Sequence, residues 1–168
     1  MMLGTAFSYV HLLDYLAEHD AEFGLPQGTR VLETGGYKGR SREMPRGELH
    51  SMITRRLGIP ASHILCEYGM SELSSQGYDR KVGVAFGART TRPRFRFPPW
   101  VRAQVVSPET GREVAEGETG LLRIFDLANV FSVLAIQSED LAVKQANGFE
   151  LVGRAARAEA RGCSLTAL

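Results

Sequence analysis

Two short apolar stretches, each preceded by a helix-like segment and each running straight into a glycine-bearing loop, constrain the fold of this chain most. Residues 7–18 place Tyr9, Leu12, Leu13 and Leu16 at helical spacing behind Thr5, a residue suited to N-capping. Gly24, Pro26 and Gly28 then break the chain, and Thr29 to Leu32 reads as a strand running into the loop Glu33-Thr34-Gly35-Gly36. A second helix is predicted over 45–57, with Leu49, Met52, Ile53 and Leu57 on its apolar face. Pro45 is tolerated in its first turn, and Gly58 and Pro60 end it. A strand at 63–67 follows and leads into Glu67-Tyr68-Gly69-Met70-Ser71-Glu72-Leu73. A repeated helix–strand–loop order of this kind belongs to an α/β sheet whose ligands bind beyond the carboxyl ends of the strands.

The second loop has the more specific chemistry. At the end of a strand it sets an aromatic ring, a glycine, a hydroxyl and a carboxylate within five residues. Together they offer a stacking surface, a tight turn, a phosphate-facing hydroxyl and a hard oxygen donor for a metal ion, which suits a nucleotide better than a core. Taken singly the residues are less decisive: Tyr68 reads equally as a strand-end core aromatic, and Glu72 as a solvated carboxylate at a helix start.

The second half changes character. Residues 1–86 read as the α/β portion, 87–100 as an irregular connection rich in Arg, Pro and aromatics, and 101–154 as a β-rich subdomain. Strands are predicted at 101–106, 120–125, 140–145 and 149–152. Gly111, Gly117 and the pair Asn147-Gly148 mark turns between them, the last a hairpin signal. The tail, 155–168, shows no periodicity.

Composition excludes several classes. With 43% hydrophobic and 23% charged residues, 168 residues can build a real core. A net charge of +1 gives no reason to expect nucleic acid or an acidic membrane as partner. The weakly polar run from Leu127 to Ile136 is too short to span a bilayer. The N-terminus has no secretory pattern, so a cytoplasmic protein is expected. Cys66 and Cys163 make no disulfide framework, and no Cys/His pair has the spacing of a zinc motif. Cys66, inside an apolar strand, reads as packing.

Several motifs recur in one order: Glu33-Thr34-Gly35-Gly36-Tyr37-Lys38-Gly39, Tyr68-Gly69-Met70-Ser71-Glu72-Leu73-Ser74-Ser75-Gln76, Gly117-Glu118-Thr119-Gly120-Leu121-Leu122 and Asp126-Leu127-Ala128-Asn129. Glu139-Asp140-Leu141, Gly153-Arg154 and Arg161-Gly162-Cys163-Ser164-Leu165 complete the set. In spelling and spacing they resemble the C-terminal portion of the acyl-protein synthetases, the LuxE-type fatty-acid ligases of bacterial luminescence operons. Those ligases are a branch of the adenylate-forming (acetyl-CoA synthetase-like, AMP-binding) superfamily.

The resemblance implies an α/β fold ending in a β-rich subdomain. It also implies ATP-dependent activation of a fatty or other carboxylic acid to acyl-adenylate. It assigns nucleotide contacts to Thr34, Gly35, Gly36, Tyr68 and Gly69, an α-phosphate contact to Ser71, Mg²⁺ to Glu72, the ribose hydroxyls to Asp140 and a further nucleotide contact to Arg154. Cys163 matches the cysteine that takes the acyl group as a thioester before passing it to an acyl-reductase partner, and Arg161 beside it would favour the thiolate. The family's Ser/Thr/Gly-rich triphosphate loop lies upstream of the matched region, so an N-terminal half or an association partner is expected to complete the ligase. A non-catalytic remnant is the alternative. Ala156 stands near where the wider superfamily often has Asp, which argues against lid-driven CoA chemistry.

Rival classes fit less well. Gly69-Met70-Ser71 lacks the second glycine of a nucleophile elbow, and His11, His19, His50 and His63 all precede Ser71, against the order of a hydrolase triad. Arg89, Arg92, Arg94, Arg96 and Arg102 interleave with Phe95, Phe97 and Trp100 as in single-strand binders, but the near-neutral charge favours a solvated connection.

Overall fold

A computed structural model describes residues 1–36, 41–83 and 94–155, and contacts divide the chain into two compact units. One holds Met1–Glu67 and takes up the chain again from Arg80. The other holds Tyr68–Asp79 and the described residues from Arg94 on. The tail with Cys163, and much of the Arg/Pro-rich connection, lie outside the described residues.

The first unit is built from β1 (Met2–Thr5), α1 (Ala6–Glu18), β2 (Val31–Thr34), α2 (Arg46–Leu57) and a 3-10 turn (Ala61–His63) leading into β3 (Ile64–Tyr68). β1 pairs with β2 and β2 with β3, all parallel. The Thr5 hydroxyl accepts the Ser8 N–H at 3.3 Å and caps α1. Gly58 closes α2 in the left-handed conformation at φ 68°. Leu13 and Val10 of α1, Leu49 and Ile53 of α2, and Val31 and Ile64 of the strands meet in one buried core.

Along β2 and β3 the alternation is regular: Val31, Glu33, Ile64 and Cys66 are buried, while Leu32, Thr34, Leu65 and Glu67 are half-buried. Two expectations shift. β2 starts two residues later than the sequence pattern predicts, so Glu33 and Thr34 belong to the strand and only Gly35 and Gly36 to the loop. β1 has no counterpart in the sequence reading. Four residues with a glycine show no period, and Gly4 is there to let the Tyr9 ring pack within 3.1 Å of where a Cβ would stand.

The second unit carries β4 (Gly77–Tyr78), β5 (Arg94–Phe95), β6 (Val101–Val106), β7 (Thr119–Asp126), β8 (Ala135–Gln145) and β9 (Gly148–Arg154). β5, β9, β8, β7 and β6 form an antiparallel sheet in that order. The hairpin expected near Asn147-Gly148 joins β8 to β9, with Gln145 opposite Gly148. Two findings differ from the sequence reading. Arg94 and Phe95, placed in an irregular connection, pair with Glu150 and Phe149. β8 begins at Ala135 rather than near 140. Phe95, Phe149, Leu122, Ile124 and Val106 are the large buried side chains of this unit. Among the described residues no helix is long and apolar enough to cross a membrane.

Candidate functional site

Within the second unit the sheet brings three of the predicted site residues together. Asp140 on β8 and Arg154 on β9 are register partners, and Arg154 Nε lies 3.5 Å from Asp140 Oδ1. Tyr68 donates its hydroxyl to Asp140 Oδ2 at 2.6 Å. The Tyr68 ring is 7% exposed and stands edge-on to Phe149 and Phe97, at centroid distances of 5.3 and 6.1 Å. Burial first, then the Asp140 charge and the bond to it, push the Tyr68 hydroxyl far above the ordinary phenol range. It therefore stays a donor, and Asp140 remains an acceptor fixed at two points. A carboxylate offers about four lone-pair directions, so Asp140 keeps capacity for a diol.

The segment after Tyr68 is a turn rather than a helix start. Leu73 N–H returns to Met70 C=O at 3.1 Å. Gly69, Ser71 and Glu72 are exposed, and Gly69 needs no positive φ. The Ser71 hydroxyl lies 3.3 Å from a Glu72 carboxylate oxygen, and among the described residues Glu72 forms no ion pair. An exposed carboxylate without a cation beside it is the donor type that Mg²⁺ takes, so the residue present fits that ion.

What holds this turn was not assigned from sequence. Asp126 is fully buried, and its Oδ2 accepts the N–H groups of Ser74 and Ser75 at 3.0 and 2.9 Å. Its Oδ1 accepts the Ser75 hydroxyl and the Ala128 N–H, each at 3.0 Å. Asn129 donates through Nδ2 to the Glu72 carbonyl at 2.8 Å and accepts the Ser74 hydroxyl at 3.1 Å. Trp100 Nε1 donates to Ser75 Oγ at 3.0 Å. These bonds are the physical reason that Tyr68–Asp79 groups with the β-rich unit and not with the α/β portion, where the sequence reading put it. An Asp closing a strand and an Asn three residues on were the available signal.

In the first unit, Thr34 donates its hydroxyl to Glu67 across the paired strand ends. Gly35 takes φ 64°, a conformation that favours glycine, and Gly36 is open to solvent with nothing near the position of a Cβ. Buried beneath them, Glu33 accepts from His50 at 2.8 Å and from the Cys66 thiol at 3.4 Å. Burial opposes the Glu33 charge, but the His50 bond, the Arg46 and His50 charges and the Cys66 bond outweigh it and hold its carboxyl below the usual range.

The family model for "Acyl-protein synthetase, LuxE" matches residues 1–167. A long-chain-fatty-acid–luciferin-component ligase of Aliivibrio fischeri is 23% identical over 144 residues, covering 84% of this chain and 35% of that protein. A structure from a study of fatty acyl-adenylate ligases of E. coli and L. pneumophila aligns over 92% of this chain and 34% of its own, with TM-score 0.65 and 16% identity. Apo MatB from Rhodopseudomonas palustris aligns over 92% of this chain and 30% of its own, with TM-score 0.60 and 19% identity. The chain thus has the fold of the C-terminal part of the adenylate-forming enzymes, and it spans about a third of the length of these relatives. With a match running from end to end, the chain belongs to the acyl-protein synthetase (LuxE) family.

Proposed function

We propose that this chain supplies nucleotide-handling residues of a ligase that activates a fatty, or other, carboxylic acid with ATP. The acid's carboxylate attacks the α-phosphorus, pyrophosphate leaves, and an acyl-adenylate results. The Cys163 thiolate then attacks the acyl carbonyl, AMP leaves with the bonding pair, and a thioester forms that is passed to an acyl-reductase partner. The observation that carries the reading is Asp140, held by Tyr68 and Arg154 with lone pairs to spare for the ribose hydroxyls.

Ser71 is assigned to the α-phosphate and Glu72 to Mg²⁺, Arg154 to the nucleotide, and the Thr34-Gly35-Gly36 loop to the adenine edge. Gly69 lets the backbone of the turn come close. Tyr68, whose ring is mostly covered, serves chiefly by orienting Asp140. Magnesium, when bound, offsets the charge that develops as pyrophosphate departs.

The test is ATP–pyrophosphate exchange with fatty acids of graded length, run on this chain alone and with a polypeptide carrying the upstream part of the family. Exchange in the combined sample, abolished by Glu72→Gln, is expected. No exchange in either sample, with both partners folded, would leave the non-catalytic reading standing. Cys163→Ser is expected to abolish hydroxylamine-sensitive acyl labelling while exchange continues.

A further inference from the structure

The helix-facing side of β2 and β3 carries a polar group that adenylation does not use. Glu33 and Cys66 are register partners on adjacent strands, and His50 reaches them from α2. All three are buried. His50 Nε2 lies 2.8 Å from Glu33 Oε2, Cys66 Sγ lies 3.4 Å from the same oxygen, and Cys66 Sγ lies 3.8 Å from His50 Nε2. Bonds of about 2.0 Å to nitrogen or oxygen and about 2.3 Å to sulfur put the donors of a tetrahedral zinc shell about 3.3–3.6 Å apart. Small side-chain adjustments therefore convert the hydrogen-bonded cluster into three ligands.

We propose that Glu33, His50 and Cys66 form a buried structural site for a zinc-class divalent ion. Thiolate with imidazole selects such an ion over Mg²⁺ or Ca²⁺, and one carboxylate completes a common ligand set. The charges suit it: a dication balances one carboxylate and one thiolate, while Arg46 Nε stands 3.9 Å from Glu33 Oε1, the oxygen outside the cluster. On loading, the Cys66 thiol proton goes to solvent as the sulfur takes the ion. His50 binds through the Nε2 lone pair with its proton on Nδ1.

Two further observations support an ion here. Tyr9, 3% exposed, has a hydroxyl with no hydrogen-bond partner among the described residues. Burial and the nearby Glu33 charge raise its pKa to about 12. A water carried by the ion is the kind of partner such a hydroxyl lacks. His50 also lines a groove with Gly47, Ser51, Thr54, Arg55 and Ala61, which gives an ion a way in, and the Thr54 hydroxyl is likewise buried without a partner. At 1% exposure Cys66 has no approach for a substrate, so a structural role fits better than a nucleophile.

The experiment is titration of the metal-free full chain with Co²⁺, read by visible absorption. One equivalent is expected to give the bands of a tetrahedral ion with a thiolate-to-cobalt charge-transfer band, bleached by one equivalent of Zn²⁺. Cys163→Ser should keep the spectrum. Cys66→Ser should lose the thiolate band, and Glu33→Gln and His50→Gln should weaken binding at least tenfold. In the Cys163→Ser protein, Zn²⁺ should also slow alkylation of Cys66. Absence of the bands in folded wild-type protein, or a thiolate band that survives Cys66→Ser and disappears with Cys163→Ser, overturns the proposal.

Discussion

Tyr68 donates its hydroxyl to Asp140, a residue 72 positions further along the chain, and this 2.6 Å bond ties the start of the Gly-Met-Ser-Glu turn to strand β8. Both groups are largely shielded, so little water competes for the bond. Hydrogen bonds to charged groups contribute about 1.5–3 kcal/mol. Tyr68→Phe keeps the ring's packing and removes only this donor, so it is expected to destabilise the chain by about 2 kcal/mol in urea unfolding. If Asp140 serves the ribose, the same variant should bind ATP more weakly and discriminate less against 2′-deoxy-ATP, a readout that packing alone would not change.

The same burial has a consequence in alkali. Tyr68 and Tyr9 both have phenol pKa values raised above the free value of about 10. A folded pKa above the unfolded one means that the native state holds its proton more tightly. The associated stability is complete below about pH 10 and is lost as the pH climbs through the folded values. Of the five tyrosines, these two should ionise last, with a cooperative loss of structure. Ultraviolet titration with parallel circular dichroism checks this, and Tyr68→Phe should remove one tyrosine from the late phase. Early, non-cooperative ionisation of all five would contradict it.

Much of this was legible because it is local. Thr5, Gly58 and the period of Leu49, Ile53 and Leu57 define the two helices by short-range rules, and the structure follows them. The Asn147-Gly148 hairpin is local too. What escaped depends on distant partners. Met2–Thr5 becomes a strand only because β2 lies beside it, and Arg94-Phe95 only because β9 does. Tyr68, Asp140 and Arg154 could be named through a resemblance, but their mutual bonds rest on register. Glu33, His50 and Cys66 are separated by 17 and 16 residues, outside any ligand-spacing rule. Alternation along β2 did carry a clue, since it sets the Glu33 carboxylate on the core face, where a charge requires partners.

Asp126 is the main anchor of the turn. Four donors converge on one fully buried carboxylate: two backbone N–H groups and a hydroxyl from Ser74 and Ser75, and the Ala128 N–H. Asp126→Asn turns one acceptor into an N–H₂ group facing donors, so it should cost about 3 kcal/mol or more. Asn129→Ala, which frees the Glu72 and Val133 carbonyls, should cost less, about 1–2 kcal/mol. Denaturant midpoints order the two variants. An Asp126→Asn protein as stable as wild type would mean that the turn is held by something else.

The hairpin supplies a steric test. A Cβ on Gly148 would stand 2.2 Å from the Phe95 carbonyl oxygen, and the residue sits at φ 139°. Gly148→Ala must therefore part β5 from β9 and should cost about 3 kcal/mol. Gly117 has a positive φ of 85° but open space around it, so Gly117→Ala should cost only about 1–2 kcal/mol, the penalty of the left-handed backbone. Equal losses in thermal unfolding would show that backbone strain, and not strand approach, governs both.

Glu72 separates function from fold. Its side chain is exposed, touches only the Ser71 hydroxyl at 3.3 Å, and forms no ion pair among the described residues. Surface substitutions of this kind change stability by about 0.5 kcal/mol or less. Glu72→Gln keeps size and hydrogen-bonding atoms but removes the charge that a hard cation requires. The variant is therefore expected to melt with the wild type and yet lose at least tenfold in affinity for Mg·ATP. Binding of ATP measured in EDTA should be the same for both proteins, because the difference resides in the ion. A variant that melts early, or binds Mg·ATP as the wild type does, would remove Glu72 from the metal site and leave Ser71 and Asp140 as the nucleotide contacts to test next.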